Sequence, residues 1–272
     1  VILRILIAFI FIPLFVGLVL LERTIFYNVL ITLALLTALL EYSGMFKKAG
    51  IKIFTFINIL FLAAVLFGLA RFRVYELNIL VLYRGFTLII VYAVFLTVFS
   101  LFSSDIKEGV LRLVFSFFGG FYVVLLGSSL ILLRNLGPFH TLFLFAVVWL
   151  YDGGAYFIGS KYGKTKITPL ISPNKSLEGL IGGVITALAA ITALKYISFT
   201  SALVPYNDLG HIYIIVIFLC LAAQSGDLLE SLLKRFCGVK DSSNLVLAHG
   251  GVLDKMDSFL LAVPIYLLLA VL

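Results

Sequence analysis

Apolar residues fall along this chain in long continuous runs. They do not alternate as in half-buried strands, and they do not form the one-sided stripe of a soluble helix. The runs lie near Val1 to Leu21, Ile25 to Leu40, Ile51 to Ala70, Phe86 to Phe102, Leu111 to Leu133, Phe139 to Gly159, Leu180 to Ile197, Ile212 to Ala223 and Phe259 to Leu272. At 1.5 Å per residue, about 20 apolar helical residues cross roughly 30 Å of hydrocarbon. The pattern therefore predicts an all-α, polytopic membrane bundle of about nine transmembrane helices joined by short loops. The first run lacks a basic start and a small-residue cleavage site, so it reads as a retained helix. The second, eighth and ninth runs are short and call for polar extensions, tilt or local thinning of the bilayer. Continuous runs also argue against a β-barrel.

Composition agrees with that picture. Hydrophobic residues make up 63% of the chain and charged ones 12%, with a mean hydropathy of +1.21, well beyond the apolar half of a soluble domain. The net charge of +7 favours an anionic membrane surface and anionic substrates. Nucleic acid is a poor partner, because the basic residues are dispersed among the spans. Cys220 lies in an apolar run and Cys237 in a polar stretch, so both read as free thiols.

Basic residues also sort the loops. On alternate connections, Arg4, Lys47, Lys48, Lys52, Lys107, Arg112, Lys161, Lys164, Lys166, Lys175, Lys234, Arg235, Lys240 and Lys255 share one face. Arg23, Arg71, Arg73, Arg84, Arg134 and Lys195 share the other. Fourteen against six is a positive-inside signal. It predicts a multi-pass protein of the cytoplasmic membrane whose N-terminus and polar loops face the cytoplasm.

The halves differ in character. Residues 1–133 have scattered polar groups without a motif and read as a scaffold in contact with membrane lipids; residues 134–272 carry the patterned loops and read as the catalytic region. No inverted repeat of the kind common in transporters is visible.

Tyr151-Asp152-Gly153-Gly154-Ala155-Tyr156 ends the sixth run, and a loop with Gly159, Lys161, Gly163, Lys164 and Lys166 is expected after it. Glycines let backbone N–H groups approach phosphate and lysines supply charge. This is not a P-loop: three residues separate its glycines where four are needed. An ordinary positive-inside loop would also explain the lysines, but Asp152 at a span end needs a partner. Next comes Ser172-Pro173-Asn174-Lys175-Ser176-Leu177-Glu178-Gly179, whose Ser172, Asn174, Lys175 and Ser176 offer donors to phosphate oxygens, or else form a plain capping loop. His140, Asp208 and His211 read as solvated residues.

The most polar stretch is Ser231 to Asp257, 27 residues with four basic groups, three aspartates, a histidine and a Gly-Gly pair. If the eighth helix continues past Ala223, then Asp227, Ser231 and Lys234 line one face, with Arg235 beside them. Glu230 and Lys234 alone would make an ordinary exposed i, i+4 pair. Asp254 and Asp257, spaced i, i+3, face one way on the first turns of the last helix, where acids also favour the helix dipole. With Asp227 they suit one or two Mg²⁺ ions, and carboxylates beside Lys and Arg together suit a metal-nucleotide.

Ser231-x-Leu233-Lys234-Arg235, Lys240-Asp241-x-Ser243 and His249-Gly250-Gly251-x-x-Asp254-x-x-Asp257 together resemble the signature of phosphatidate cytidylyltransferases, the CDP-diacylglycerol synthases. The segments Asp152 to Gly159 and Ser172 to Gly179 are similar to that family's upstream segments. Leu247 stands where the family usually has proline and Lys255 where it has arginine, a point charge in place of a bidentate fork.

The resemblance implies condensation of CTP with phosphatidic acid to CDP-diacylglycerol and pyrophosphate, Mg²⁺-dependent with K⁺ as a possible second cation, by a homodimer. Asp227, Asp254 and Asp257 would hold metal. Lys175, Lys234 and Arg235 would act with them in catalysis, and His249 would be a ligand or orienter. Substrate contacts would come from Asp152, Gly153, Gly154, Lys161, Lys164, Lys166, Ser172, Asn174, Ser176, Ser231, Lys240, Asp241, Gly250, Gly251 and Lys255. The alternatives are a CTP-dependent polyprenol or phytol kinase and a secondary transporter. The transporter predicts polar residues at mid-span, whereas here they cluster at one membrane face.

Overall fold

The structure is a computed structural model that describes residues 2–70, 79–197, 201–245 and 250–271. Arg71, Arg73, Leu247 and His249, all named above, lie outside the described residues. The helices are α1 (Ile2–Leu20), α2 (Ile25–Lys48), α3 (Thr55–Ala70), α4 (Ile79–Leu101), α5 (Ile106–Gly119), α6 (Gly127–Leu136), α7 (Pro138–Tyr162), α8 (Leu177–Tyr196), α9 (Leu209–Phe236) and α10 (Leu253–Val271). A π-helical stretch, Gly120–Leu126, joins α5 to α6 in one rod. The described residues thus form nine rods, one for each apolar run.

Six of these are long and apolar enough to cross a membrane: Ile25–Lys48, Tyr83–Leu101, Ile106–Leu136, Pro138–Tyr162, Leu177–Tyr196 and Leu209–Phe236. The chain is a multi-pass helical membrane protein. Sixteen residues of α3 rise only about 24 Å, and α10 carries Asp254, Lys255 and Asp257 on its first turns. The expected nine spans are therefore an approximate number.

Local chemistry sets the helix starts. Asp105 caps α5 through Glu108 N, Ser176 caps α8 through Gly179 N, and Asp208 caps α9 through His211 N. Pro138 opens α7 after Gly137 at φ +147°. Between α7 and α8 lies the exception to the all-helical expectation, an antiparallel hairpin of β1 (Lys166–Thr168) and β2 (Ser172–Ser176).

Helix pairs pack where side chains are absent. A Cβ at Gly154 would meet Thr186 at 2.5 Å, which brings α7 against α8. One at Gly226 would meet Asp257 O at 2.3 Å, which brings α9 against α10. Large apolar side chains remain exposed on α4, among them Phe95, Phe99 and Leu101, as a face toward lipid requires.

Contacts sort the loops into two ends of the bundle. At one end Arg112 donates to Lys52 O (2.9 Å), Arg235 to Ile171 O (3.2 Å), and Glu41 of α2 joins the start of α10. At the other, Arg134 donates to Leu21 O (2.8 Å) and Lys195 to Tyr206 O (2.5 Å). Lys52, Arg112 and Arg235 thus fall at one end and Arg134 and Lys195 at the other, in line with their predicted groupings. Asp208 is exposed, as expected. His140 is not a freely solvated residue: its Nδ1 lies 2.7 Å from Tyr266 Oη, and its ring packs on Tyr206.

Candidate functional site

The eighth apolar run does continue. α9 extends to Phe236 because its polar residues find partners across the helix pair. Ser231 Oγ lies 3.3 Å from Asp227 Oδ1, on the face the spacing predicts. Glu230 and Lys234 are not an exposed surface pair, since Glu230 is fully buried and Lys234 is 12% exposed. The Lys234 ammonium sits between Glu230 and Asp254, 2.6 Å from Asp254 Oδ1. A cation placed there offsets two carboxylates that would otherwise be costly to bury.

Asp254 anchors the turn into α10. Its Oδ2 accepts from Gly251 N (2.7 Å), Ser242 N (2.9 Å) and Ser242 Oγ (2.6 Å). Gly250 takes φ +81°, and a Cβ there would lie 2.7 Å from Asp254 Oδ2. A Cβ at Gly251 would lie 2.1 Å from Ser242 Oγ. The Gly-Gly pair is thus required by the left-handed turn and by the close seat of the carboxylate.

A residue that the sequence analysis passed over completes this corner. Glu41 of α2 is buried and accepts from Ser243 Oγ (2.6 Å), Val252 N (3.0 Å) and Leu253 N (2.8 Å), with Ser242 Oγ, whose one proton it shares with the nearer Asp254, at 3.2 Å. Those amides belong to the first turn of α10, where no intrahelical acceptor exists. One signal was readable: Glu41 is the lone acid between Glu22 and Glu76, and an unpaired acid at a span end needs a partner.

The hairpin brings the remaining side chains together. Lys175 on β2 places its ammonium 2.5 Å from Asp227 Oδ2, with both side chains partly exposed. Glu178 accepts from Lys164 N and Thr165 N (each 3.1 Å), and Leu177 N donates to Thr165 O, which fixes the approach to the hairpin. Asp152 is exposed on α7, within electrostatic reach of Asp227, Lys175 and Lys255. Asp257 is buried, accepts from Ser258 N at 2.7 Å, and lies within electrostatic reach of Asp227 and Lys234. The ends of α7, α9 and α10 and the hairpin thus bring Asp152, Lys175, Asp227, Ser231, Lys234, Asp254 and Asp257 into one charged cluster, termed the cleft.

Others stand apart from it. Gly159 and Lys161 do not lie in the expected loop, because α7 continues to Tyr162, and the backbone groups of Gly153, Gly154 and Gly159 belong to the helix and are not offered to phosphate. Gly154 serves the packing on Thr186. Lys161 is in the last turn of α7 over the Tyr162 ring, and Lys164 and Lys166 are exposed beyond it. Asn174, Arg235, Lys240, Asp241 and Lys255 are exposed; Ser172 is half-buried, and Ser176 is buried as the α8 cap.

Asp227, Asp254 and Asp257 do not form a single ligand cage. Among the described residues no group of three or more His, Cys, Asp or Glu side chains is placed to hold a metal ion. Asp227 turns to Lys175, and Asp254 to Lys234, Ser242 and Gly251. Both cysteines are free and buried. Burial pushes the Cys237 thiol, just past the end of α9, up to about 11.

The sequence model of the cytidylyltransferase family matches residues 2–272. The chain belongs to the cytidylyltransferase family. This member is 43% identical over 142 residues to the phosphatidate cytidylyltransferase of Bacillus subtilis, a stretch covering 51% of each chain. It is 46% identical over 133 residues to the Haemophilus influenzae phosphatidate cytidylyltransferase, 47% of this chain and 46% of that one. With the Staphylococcus saprophyticus protein of the same name it shares 44% over 133 residues, 48% and 49% of the two chains. The matched stretch spans about half the length of these relatives.

Proposed function

We propose that this cytidylyltransferase-family chain condenses CTP with phosphatidate, giving CDP-diacylglycerol and pyrophosphate. The observation that carries this reading is the Lys175–Asp227 contact, which joins the donor-rich hairpin to the acidic face of α9. Phosphate donors and carboxylates then line one cleft, as a metal-nucleotide requires. Relatives named phosphatidate cytidylyltransferase support the choice of substrates.

The attacking phosphate monoester is ionised near neutral pH, so no general base is needed, and positioning and charge stabilisation dominate. Asp227 orients the Lys175 ammonium at the hairpin. Exposed Lys161, Lys164, Lys166 and Lys255 raise the local concentration of both anionic substrates. As the phosphatidate oxygen bonds to the α-phosphorus, the bond to the pyrophosphate oxygen breaks, and Lys175 meets the negative charge that departs.

Magnesium fits the donor set. Two of its carboxylates already hold ammonium groups in contact, Asp227 with Lys175 at 2.5 Å and Asp254 with Lys234 at 2.6 Å, so cation sites are built into both. Asp227, Asp254 and Asp257 would hold one or two ions, not as one three-carboxylate cage but with phosphate oxygens completing each site, and K⁺ would be a second cation. When bound, Mg²⁺ neutralises phosphate oxygens as a Lewis acid.

Purified protein given phosphatidate and CTP labelled on the α- or the γ-phosphate tests the reaction. The expected result is α-label in the lipid and γ-label in pyrophosphate. Entry of γ-label into a neutral lipid alcohol, with phosphatidate inert, would overturn it in favour of a kinase.

The same reading puts the site at the cytoplasmic face of the cell membrane and the protein in a homodimer. A single cysteine in the 161–166 segment, in a background without Cys220 and Cys237, should resist an impermeant thiol reagent in intact cells and react after lysis. Labelling in intact cells would reverse the orientation. Cross-linking in native membranes that yields only monomer would remove the dimer.

A further inference from the structure

Glu41 is a carboxylate buried to 4% exposure, on a helix from the half of the chain without motifs. Its partners lie on both sides of residues 246–249: Ser242 and Ser243 before, Val252 and Leu253 after. A helix cap needs only one or two such bonds. The same side chain here also gathers the opposite flank of the turn, from a separate helix about two hundred residues earlier in the chain.

The link to the acid cluster is direct. Ser242 Oγ lies 3.2 Å from Glu41 Oε2 and 2.6 Å from Asp254 Oδ2, so one hydroxyl spans both carboxylates. Gly251 fills the space between: a Cβ there would lie 2.5 Å from Glu41 Oε2. Moving Glu41 must move Ser242, the Val252 and Leu253 amides, or both, and Asp254 is hydrogen-bonded to Ser242 and to the adjoining Gly251 N. Its own reach is to protein donors, and nothing places it on the cleft that Asp227 and Lys175 line.

We propose that Glu41 is a positioning residue for the cleft. Through Ser242 and the first turn of α10 it sets where Gly251 and Asp254 stand, without touching substrate. The N-terminal half thereby supplies part of the site and not only lipid contact. This inference rests on the reading of the α9–α10 cleft as the nucleotide site.

Glu41→Gln keeps the size but removes one acceptor and turns an N–H₂ toward a serine hydroxyl, which can accept it, and a backbone N–H of Val252 or Leu253, which cannot. Hydrogen exchange, read without substrate, should quicken at least about tenfold in peptides covering 242–245 and 250–258 while the other helices keep their rates. In the cytidylyl-transfer assay kcat should fall about 10- to 100-fold, as for residues that orient ligands through one intermediary, with KM for phosphatidate unchanged.

Unchanged exchange in those peptides would overturn the proposal. So would faster exchange throughout the chain, which marks a general fold residue, or a local change that leaves kcat at the wild-type value, which marks a cap alone. If Glu41→Gln does not fold, Ser243→Ala removes one donor to Glu41 and should quicken the same peptides to a smaller degree; wild-type exchange there would equally overturn it. A wild-type protein that makes no CDP-diacylglycerol would refute the reaction and leave the anchoring to be judged by exchange.

Discussion

One buried cluster of the N-terminal half, around Asn58, is built of polar side chains that satisfy one another. Tyr92 Oη lies 2.8 Å from both Asn58 Oδ1 and Ser116 O and gives its one proton between them, Asn58 Nδ2 donates to Ser116 O (3.1 Å), and Tyr42 Oη donates to Phe115 O (2.9 Å). These groups are neutral, and their lone pairs and protons are used within the network. In the C-terminal half the polar side chains are charged, and several keep a face open: Asp152 is exposed, and Lys175 and Asp227 pair while partly exposed. A neutral, closed network adds order to a membrane bundle, where unsatisfied groups are costly. An open, charged one stabilises less than it could, which is what binding a charged ligand requires. Glu41 is where the two meet, a charged side chain closed off by neutral donors.

The largest effect should follow from breaking the open network. Asp227→Asn leaves Lys175 without its counter-charge and removes a carboxylate proposed to hold Mg²⁺. Cytidylyl transfer should fall about 10²- to 10³-fold, the range for loss of one preorganised electrostatic group. The thermal midpoint in detergent should stay near the wild-type value, because both side chains are partly solvated. Turnover near wild type at limiting Mg²⁺ would erase the distinction between the halves.

The closed network should answer in the opposite way. Asn58→Ala takes a hydrogen-bond partner from both Tyr92 Oη and Ser116 O in a fully buried place, at a cost of about 1–3 kcal/mol. The expected outcome is a lowered unfolding midpoint with kcat unchanged. A drop in kcat at an unchanged midpoint would show that this network also serves the site.

How far the sequence revealed this arrangement depends on where each residue's partner lies. The nine apolar runs translate into nine rods, since lipid exposure is written in each run separately. Their polar ends were harder to read. α2 runs on through Glu41 to Lys48, and α9 through Asp227 to Phe236, because those polar residues are satisfied by other helices. The hairpin was hidden in strands of three and five residues with little apolar alternation. Of the site, Asp227, Ser231 and Lys234 follow from helical spacing alone. The Lys175–Asp227 contact and the role of Glu41 do not, since each joins residues far apart in the chain. Gly159 and Lys161 were misplaced for a related reason: glycine reads equally well as a loop and as a helix position packed closely on a neighbour, and here α7 continues through both to Tyr162, with Gly159 close against Gly179 of α8.

The smallest effect tests whether the closed packing reaches the edge of the open site. Cys237 follows directly on α9, two residues after Arg235, yet it is buried and its thiol is raised to about 11 by burial. The thiolate is the reactive form, so at pH 8 its fraction should be about 100-fold below that of an ordinary thiol near 9. Alkylation of Cys237 in folded protein lacking Cys220 should be slower than in denatured protein by at least that factor. Because the raised value lies above the experimental range, the rate should climb about tenfold per pH unit from 7 to 9 without levelling. A plateau near pH 9 would mean an ordinary, solvated thiol, and would move the boundary of the charged cleft inward past the end of α9. Cys237→Ser should leave cytidylyl transfer unchanged, since the side chain packs beside the site and takes no part in it.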